Sequence, residues 1–386
     1  MKLMHLSDLH LGKKLNEFSL LEDQKYILKQ LLAVAAAERP DAVLLAGDIY
    51  DKGVPPAEAV QLCDDFLTEL ASLGFPVCVI SGNHDSAERL AFGARLMQGS
   101  GVHVAACYTG QEQRITLHDA YGPVNIYLLP FLKPATVRHC LDEREAEQIT
   151  GYHAAVQAAA ARLQVDASQR NVLVAHQFVT GAQTAGSEAV SVGGLDNVGA
   201  EAFAGFDYVA LGHIHSAQNI GGENIRYCGA PLKYSFDEWR QQKSVTIAEL
   251  GAKGSLQVRA VPLKPWRELR KIKGTYDEVM QRDFYENFPV DSDGRLLDFY
   301  HVTLTDEEDV VDAALKLRSV YKNLLQLSYD NLRTRRDNEV DADEAAARKS
   351  SLELIEEFYA LQNNQELGQE QKRFVQALLQ KLEGEA

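Results

Sequence analysis

The chain opens with short apolar runs separated by stretches in which apolar residues recur every third or fourth position. "KLMHLSD" reads as a strand, "LLEDQKYILKQLLAVAAAE" as an amphipathic helix and "DAVLLAGD" as a second strand. "AEAVQLCDDFLTELASLG" repeats the helical period and stops at Gly74, and "PVCVISGN" makes a third strand. Such a βαβαβ opening implies a partly parallel sheet with helices packed on its faces, an α/β protein. "AERLAFGARLMQGSG" predicts a further helix with a glycine stop. After it come a strand at "VNIYLLP", a helix around "YHAAVQAAAARLQ", and strands at "NVLVAHQ", "YVALGHIH" and "SVTIAEL".

The pattern breaks at "VPLKPWRELRKIKG" (261–274), where two prolines and a charge cluster intervene. Three domains are predicted: 1–265, 266–332 and 333–386. In the second, "DFYHVTLT", "EEDVVDAALKLRSVYKN" and "LLQLSYDN" make a small β-α-β unit. The third begins with the polar linker "RTRRDNEVDADE" and continues into two helical stretches. The first stretch carries Leu352, Ile355 and Tyr359, the second Phe374, Leu378 and Leu382. Apolar stripes on a tail behind a charged linker fold back or dock on a partner, and docking is the expectation.

Composition adds constraints. Of 386 residues, 46% are hydrophobic and 24% charged, as in ordinary folded proteins. Asp8 and His10 interrupt the N-terminus before a signal-peptide core can form, and no apolar run approaches the roughly 18 residues of a membrane span. The five scattered cysteines read as reduced thiols of a cytoplasmic protein. The formal charge of −16 is unlike that of a nucleic-acid binder, and each of the three predicted domains is itself acidic. A polyanion would therefore need a local basic patch, bound cations or a partner. The densest patch holds Lys264, Arg267, Arg270, Lys271 and Lys273, and reads equally as a phosphate contact or a solvated hinge.

The chemistry concentrates at strand ends. "SDLH" offers Asp8 and His10, "AGDIYD" Asp48 and Asp51, and "SGNHD" Asn83, His84 and Asp85. "LVAH" offers His176, and "LGHIH" offers His213 and His215. Ligands gather where the strand ends of an α/β sheet converge. In an extended segment i and i+2 point the same way, so Asp8 and His10 can grip one ion. His213 and His215 can do the same or splay to two neighbouring ions. Carboxylates, imidazoles and one amide, without thiolate, suit Mn, Fe or Zn. Each piece alone is an ordinary turn or a hydrogen-bonded histidine; five such ends at one sheet edge are a metal site.

In order and spacing, "DLH", "GDIYD", "GNHD", "H" and "GHIH" resemble the calcineurin-like metallophosphoesterases. "LMHLSDLHLGKKL", "LVAHQFVTGAQTAGSE" and "YCGAPLKYSFDE" resemble one branch of that family, the bacterial SbcD nuclease subunits. The resemblance covers 1–265 specifically, the β-α-β unit loosely and the tail only in its helical character. It implies a sandwich of two mixed β-sheets flanked by helices, then a small capping domain that positions DNA, then a helical tail. It implies two divalent cations, Mn2+ first, with Mg2+, Fe or Zn as alternatives, and no nucleotide site in this chain. Asp8, His10, Asp48 and His215 would hold the first ion, with Asp48 bridging to a second completed by Asn83, His176 and His213. His84 would donate a proton to the leaving oxygen or steady the charge on the phosphorane, Asp51 would orient His84, and Asp85 would support the loop. With a bridging hydroxide the centre would carry a net charge of about +1, which lets an acidic chain attract a phosphodiester. The implied activity is 3'-5' exonuclease on duplex ends and endonuclease on hairpins or single strands, in DNA repair and recombination. The implied partners are DNA, an SbcC-type coiled-coil ATPase and a second copy of the chain, through helices near 57–73 and 87–98, within a heterotetramer. No membrane contact is implied.

Overall fold

The computed structural model describes residues 1–185, 188, 197–308 and 310–332, with Leu352, Ile355, Glu356, Tyr359 and 368–384 of the tail. Contacts divide the chain into two units, Met1–Glu268 and Leu269–Ala386. The strands of the first unit begin with β1 (Lys2–Leu6), β2 (Ala42–Ala46), β3 (Val77–Ile80), β4 (Val102–Ala105), β5 (Arg114–Asp119) and β6 (Gly122–Leu129). They continue with β7 (Arg170–His176), β8 (Tyr208–Gly212), β9 (Gln218–Asn219), β10 (Ile225–Tyr227), β11 (Ser244–Leu250) and β12 (Leu256–Pro262).

Among the described residues these strands form two six-stranded sheets, ordered β12-β11-β1-β2-β3-β4 and β9-β10-β8-β7-β6-β5. Both are mixed. β1 to β4 run parallel while β11 and β12 pair antiparallel. β6, β7, β8 and β10 run parallel, with β5 and β9 antiparallel at the two edges. Strand alternation explains the layering. Leu3, Leu44 and Ile80 of the first sheet share one core with Ile126, Val172, Val174 and Ala210 of the second. Outside the sandwich, α1 (Leu21–Glu38) buries Ile27, Leu28, Leu31 and Ala35, and α2 (Ala57–Ser72) buries Ala59, Cys63, Phe66 and Leu70. α3 (Tyr152–Ala161) packs Ala155, Val156 and Ala159 into a separate core with Leu173, Ala175 and Leu211.

Two features differ from the sequence reading. The helix expected over "AERLAFGARLMQGSG" is broken into Ala87–Leu90 and Ala94–Met97, because Gly93 between them turns to φ +75° and interrupts the hydrogen-bond ladder. β5 and β12 escape the reading because they are edge strands without a single fully buried residue, so neither shows the continuous apolar run of an inner strand.

The second unit is built on three parallel strands, β13 (Leu269–Gly274), β14 (Phe299–Leu304) and β15 (Leu324–Tyr329). α4 (Ala313–Leu317) and the loops around it join Ile272, Val302, Leu304 and Tyr321 in one core. The unit thus has one strand more than the β-α-β expectation. β13 lies inside the segment read as a charged hinge, since its buried Leu269 and Ile272 break the period of two. The helix is also shorter than its apolar pattern implied. In the tail, α5 (Gln369–Gly384) leaves Phe374 and Leu378 exposed. Leu352, Ile355 and Tyr359 are half-buried, and the Tyr359 hydroxyl accepts a hydrogen bond from Gln371 at 3.0 Å. The expected linker at 333–344 and the Leu382 side chain lie outside the described residues. Among the described residues no helix is long and apolar enough to cross a membrane.

Candidate metal centre

The register of both sheets brings the ligand-bearing strand ends to one level. Leu6 pairs with Leu45, Ala46 with Ile80, and Gly212 with His176. Pairing continues past the strands: the amides of Asp8, His10 and Leu11 donate to the carbonyls of Gly47, Asp48 and Ile49 at 2.9–3.0 Å. The chain turns sharply here. Asp8 (φ 55°), His10 (φ 44°), Asp48 (φ 50°) and His213 (φ 101°) occupy the left-handed region, which costs about 1–3 kcal/mol for each such residue. Asp8 and His10 therefore meet through turns, not through the extended i, i+2 geometry expected.

The two sheets close on each other at this mouth. His176 Nδ1 donates across the sandwich to the Ala46 carbonyl at 2.7 Å. The approach leaves no room for a side chain at Gly212, where a Cβ would lie 1.9 Å from the Ala46 carbonyl oxygen and 2.7 Å from His176 Nδ1. Gly82 is equally constrained, since its Cβ would fall 2.1 Å from Asp48 Oδ1.

All seven expected ligands come together. His10 Nε2 lies 3.1 Å from His215 Nε2 and 3.6 Å from Asp48 Oδ2. His176 Nε2 lies 3.4 Å from Asp48 Oδ2 and 3.1 Å from Asn83 Oδ1, and His213 Nδ1 is 2.9 Å from the same amide oxygen. The Asp8 carboxylate accepts from the His213 amide at 3.0 Å and from the Ser7 hydroxyl. Among the described residues three donor groups fall within 4.8 Å: Asp8, His10 and His215; Asp8, Asp48 and His176; His10, Asp48 and His84. Asp8, His10 and Asp48 each serve two groups, and His84 is near enough to count as a donor.

The residues fit a divalent pair. Asp8, His10, Asp48, His176, His213 and His215 are all buried, and His213 Nε2 has no hydrogen-bond partner. His10 and His215 turn ring nitrogens toward one another, and one proton at most can sit between them. Cations would take up those lone pairs and balance the two carboxylates. Burial and charge oppose one another across the cluster. Burial pushes Asp8 up and His10 well down. Burial also raises Asp48, but His176, His10 and His84 outweigh it and hold the carboxyl far below the usual range. Burial lowers His176, yet Asp48 prevails and lifts it to about 9, while burial and His176 push His213 down to about 3.

Around the cluster some side chains depart from expectation. Asp51 meets His84 through its main-chain carbonyl, which accepts from His84 Nδ1 at 2.9 Å. The Asp51 carboxylate turns instead to Lys13 Nζ at 2.7 Å and lies 3.6 Å from His10 Nδ1. Asp85 accepts the amides of Ile49 (3.1 Å), Tyr50 (2.9 Å) and Gly82 (2.9 Å), tying the loop after β2 to the loop after β3. Sequence reasoning passed over Tyr234, Glu238 and Lys243. The Tyr234 ring stands edge-on to His10 and His215, and its hydroxyl donates to the Leu9 carbonyl. All but Lys243 lie in "YCGAPLKYSFDE", whose likeness to the family was the signal that the sequence offered. The basic segment is heavily paired: Arg267 with Asp23, Arg270 with Asp298 and Lys273 with Asp330. Lys264 is exposed, and its amide donates to Gln30 Oε1 at 3.2 Å.

Residues 1–217 match the calcineurin-like phosphoesterase family, and 265–363 match the type 5 capsule protein repressor C-terminal domain. The SbcD component of the SbcCD nuclease of Staphylococcus epidermidis is 33% identical over 98% of this chain and 98% of its own length. Among solved structures, a dimetal phosphatase from Danio rerio is 11% identical over 67% of this chain and 95% of its own, with a TM-score of 0.39. The TT1561 protein of Thermus thermophilus is 12% identical over 67% of this chain and 98% of its own, with a TM-score of 0.38. With family motifs at five strand ends and likeness along nearly its whole length, the chain belongs to the calcineurin-like phosphoesterases, in their SbcD branch.

Proposed function

We propose that this chain is a metal-dependent nuclease subunit that hydrolyses DNA phosphodiester bonds with two Mn2+ ions. It cuts duplex ends as a 3'-5' exonuclease and hairpins or single strands as an endonuclease. The observation that carries the reading is the convergence of seven oxygen and nitrogen donors at one sandwich mouth. Asp8, His10, Asp48 and His215 would hold one ion; Asp48, Asn83, His176 and His213 would hold the other. When bound, such a pair supplies an activated water and clamps the attacking and leaving oxygens of an in-line displacement.

The chain's own residues do the rest. A carbonyl can only accept, so the contact with Asp51 O puts a proton on His84 Nδ1. When the ring is charged, Nε2 carries the second proton, and this is the one delivered to the leaving oxygen. Asp48 Oδ1 accepts the His84 amide at 2.9 Å, so the proton donor and the shared ligand move together. Asp85 fixes the loop between them.

Residues 266–332 act as the DNA-positioning domain, and the exposed Phe374 and Leu378 support docking of 333–386 on an SbcC-type ATPase. Phe92 and Leu96, 86% and 84% exposed, support a homodimer through the 87–98 segment and α2. The assembly works in the cytoplasm, in DNA repair and recombination.

The test is incubation of the chain with Mn2+ on linear duplex, hairpin DNA and a nitrophenyl phosphate ester, with and without the ATPase. DNA cleavage should require Mn2+ and vanish in Asp48→Ala. His84→Leu should bind two ions and not cut; normal cutting by that variant would falsify the proton-donor role. Ester turnover with DNA left intact would overturn the nuclease reading.

A further inference from the structure

Beneath His215 lies an ion pair that the reaction, as derived so far, does not use. Glu238 is 0% and Lys243 6% exposed, and the lysine Nζ donates to the glutamate at 2.5 Å. Burying such a pair gains little stability, since desolvation of both ions offsets their attraction. Its placement is what distinguishes it. Lys243 Nζ also donates to the His215 carbonyl at 2.7 Å, and Glu238 Oε1 faces His215 Nδ1 at 3.7 Å. The His215 amide donates to Glu188 at 2.9 Å. The amide, carbonyl and Nδ1 of His215 thus each have a charged neighbour, and Nε2 points into the cluster, 3.1 Å from His10 Nε2.

We propose that Glu238, held by Lys243, is the positioning residue for His215: its carboxylate keeps the imidazole proton on Nδ1, leaving the Nε2 lone pair for the cation. The facing rings make this necessary. If the His215 proton sat on Nε2, it would occupy the space between the two histidines and block the ion. A carboxylate behind a ligating imidazole selects the tautomer, fixes the ring and raises its basicity. Lys243 pairs with Glu238 and also holds the His215 carbonyl, so ring and main chain are set by one unit. The surrounding cavity of about 210 Å³, lined by His215, Cys228, Gly229 and Lys243 among others, gives solvent an approach to this rear side.

The inference rests on the metal reading above, and the experiment separates the two. Mn2+ binding is measured by calorimetry on the wild-type chain, Glu238→Gln and the double variant Glu238→Gln/Lys243→Met. Side-chain 15N spectra of the metal-free proteins report the His215 tautomer. The double variant should stay folded, with a urea midpoint closer to wild type than that of Glu238→Gln, because removing both ions together strands neither. Its affinity at one of two sites should nevertheless fall 10–100-fold, and Glu238→Gln should lose about tenfold. His215 should be Nδ1-protonated in wild type and shift toward Nε2-protonated in both variants. Should the double variant fail to fold, the single variant carries both readouts. A wild-type protein that binds no Mn2+ sinks the metal reading. Two ions bound by the variants with wild-type affinity, or an unchanged tautomer, overturns the role of Glu238 alone.

Discussion

Replacing Arg267 by Met tests whether the basic segment serves the fold or a polyanion. In the structure Arg267 Nε donates to Asp23 Oδ1 at 2.9 Å, and its Nη2 reaches the other oxygen, a two-pronged grip. Asp23 is 2% exposed at the start of α1. The guanidinium also lies 5.0 Å from the Phe18 ring centre and 4.7 Å from that of Trp266. Stranding a buried charge by removing its partner costs about 3–5 kcal/mol, and each ring contact adds about 0.5–1. The total, about 4–7 kcal/mol, corresponds to a Tm lower by roughly 10–25 °C for a unit of this size. The loss should depend on pH. Burial already raises the Asp23 carboxyl despite Arg267, and without the arginine it rises further. A raised folded-state pKa favours the protonated form, so the variant should regain stability as pH falls from 7 toward 5. Asp23→Asn/Arg267→Met should recover most of the loss at pH 7. Differential scanning calorimetry at pH 5 and 7 reads all of this. A Tm within about 2 °C of wild type, alongside a weaker salt dependence of DNA binding, would refute the reasoning and return Arg267 to the phosphate-contact role.

Three further outcomes are expected. Asp85→Ala removes the acceptor of three main-chain amides, so the loops carrying Asp48 and Asn83 should loosen; cleavage should fall about 10²-fold, read as kcat on a hairpin substrate. His5 is pushed down to about 3 by burial and Arg226, and in the unfolded chain it titrates near 6.5. Its stabilising contribution is therefore whole above pH 6.5 and lost toward pH 3, at about 1.4 kcal/mol per pH unit; urea midpoints of His5→Gln should fall less steeply with acid than those of wild type. Saturating Mn2+ at 100 times its Kd should stabilise the first unit by about 2.7 kcal/mol per site, and chelation should reverse the shift in a thermal melt.

What the sequence disclosed follows from where function sits on this fold. Ligands at the mouths of parallel strands stand beside buried apolar runs, so Asp8, Asp48, Asn83, His176 and His213 announce themselves as polar groups where a strand stops. What it withheld is contact identity. A sequence names Asp51 but not whether its carboxylate or its carbonyl meets His84. Glu238 looks like any acidic residue after "YSFD" until its burial is known. β13 stayed hidden because Leu269 and Ile272 keep no period of two, and the helix over 87–98 broke at a glycine whose φ the pattern does not record.

The hydrogen bond from His176 to the Ala46 carbonyl spans two sheets, and the donors it joins are divided between them. Asp8, His10, Asp48 and Asn83 belong to one slab, His176, His213 and His215 to the other. A slip of one slab against its neighbour by a single residue, about 3.3 Å, would leave each slab intact and scatter the donors beyond ligating range. Defects that shear the sandwich should therefore weaken cation binding while each slab keeps its own strand pairing.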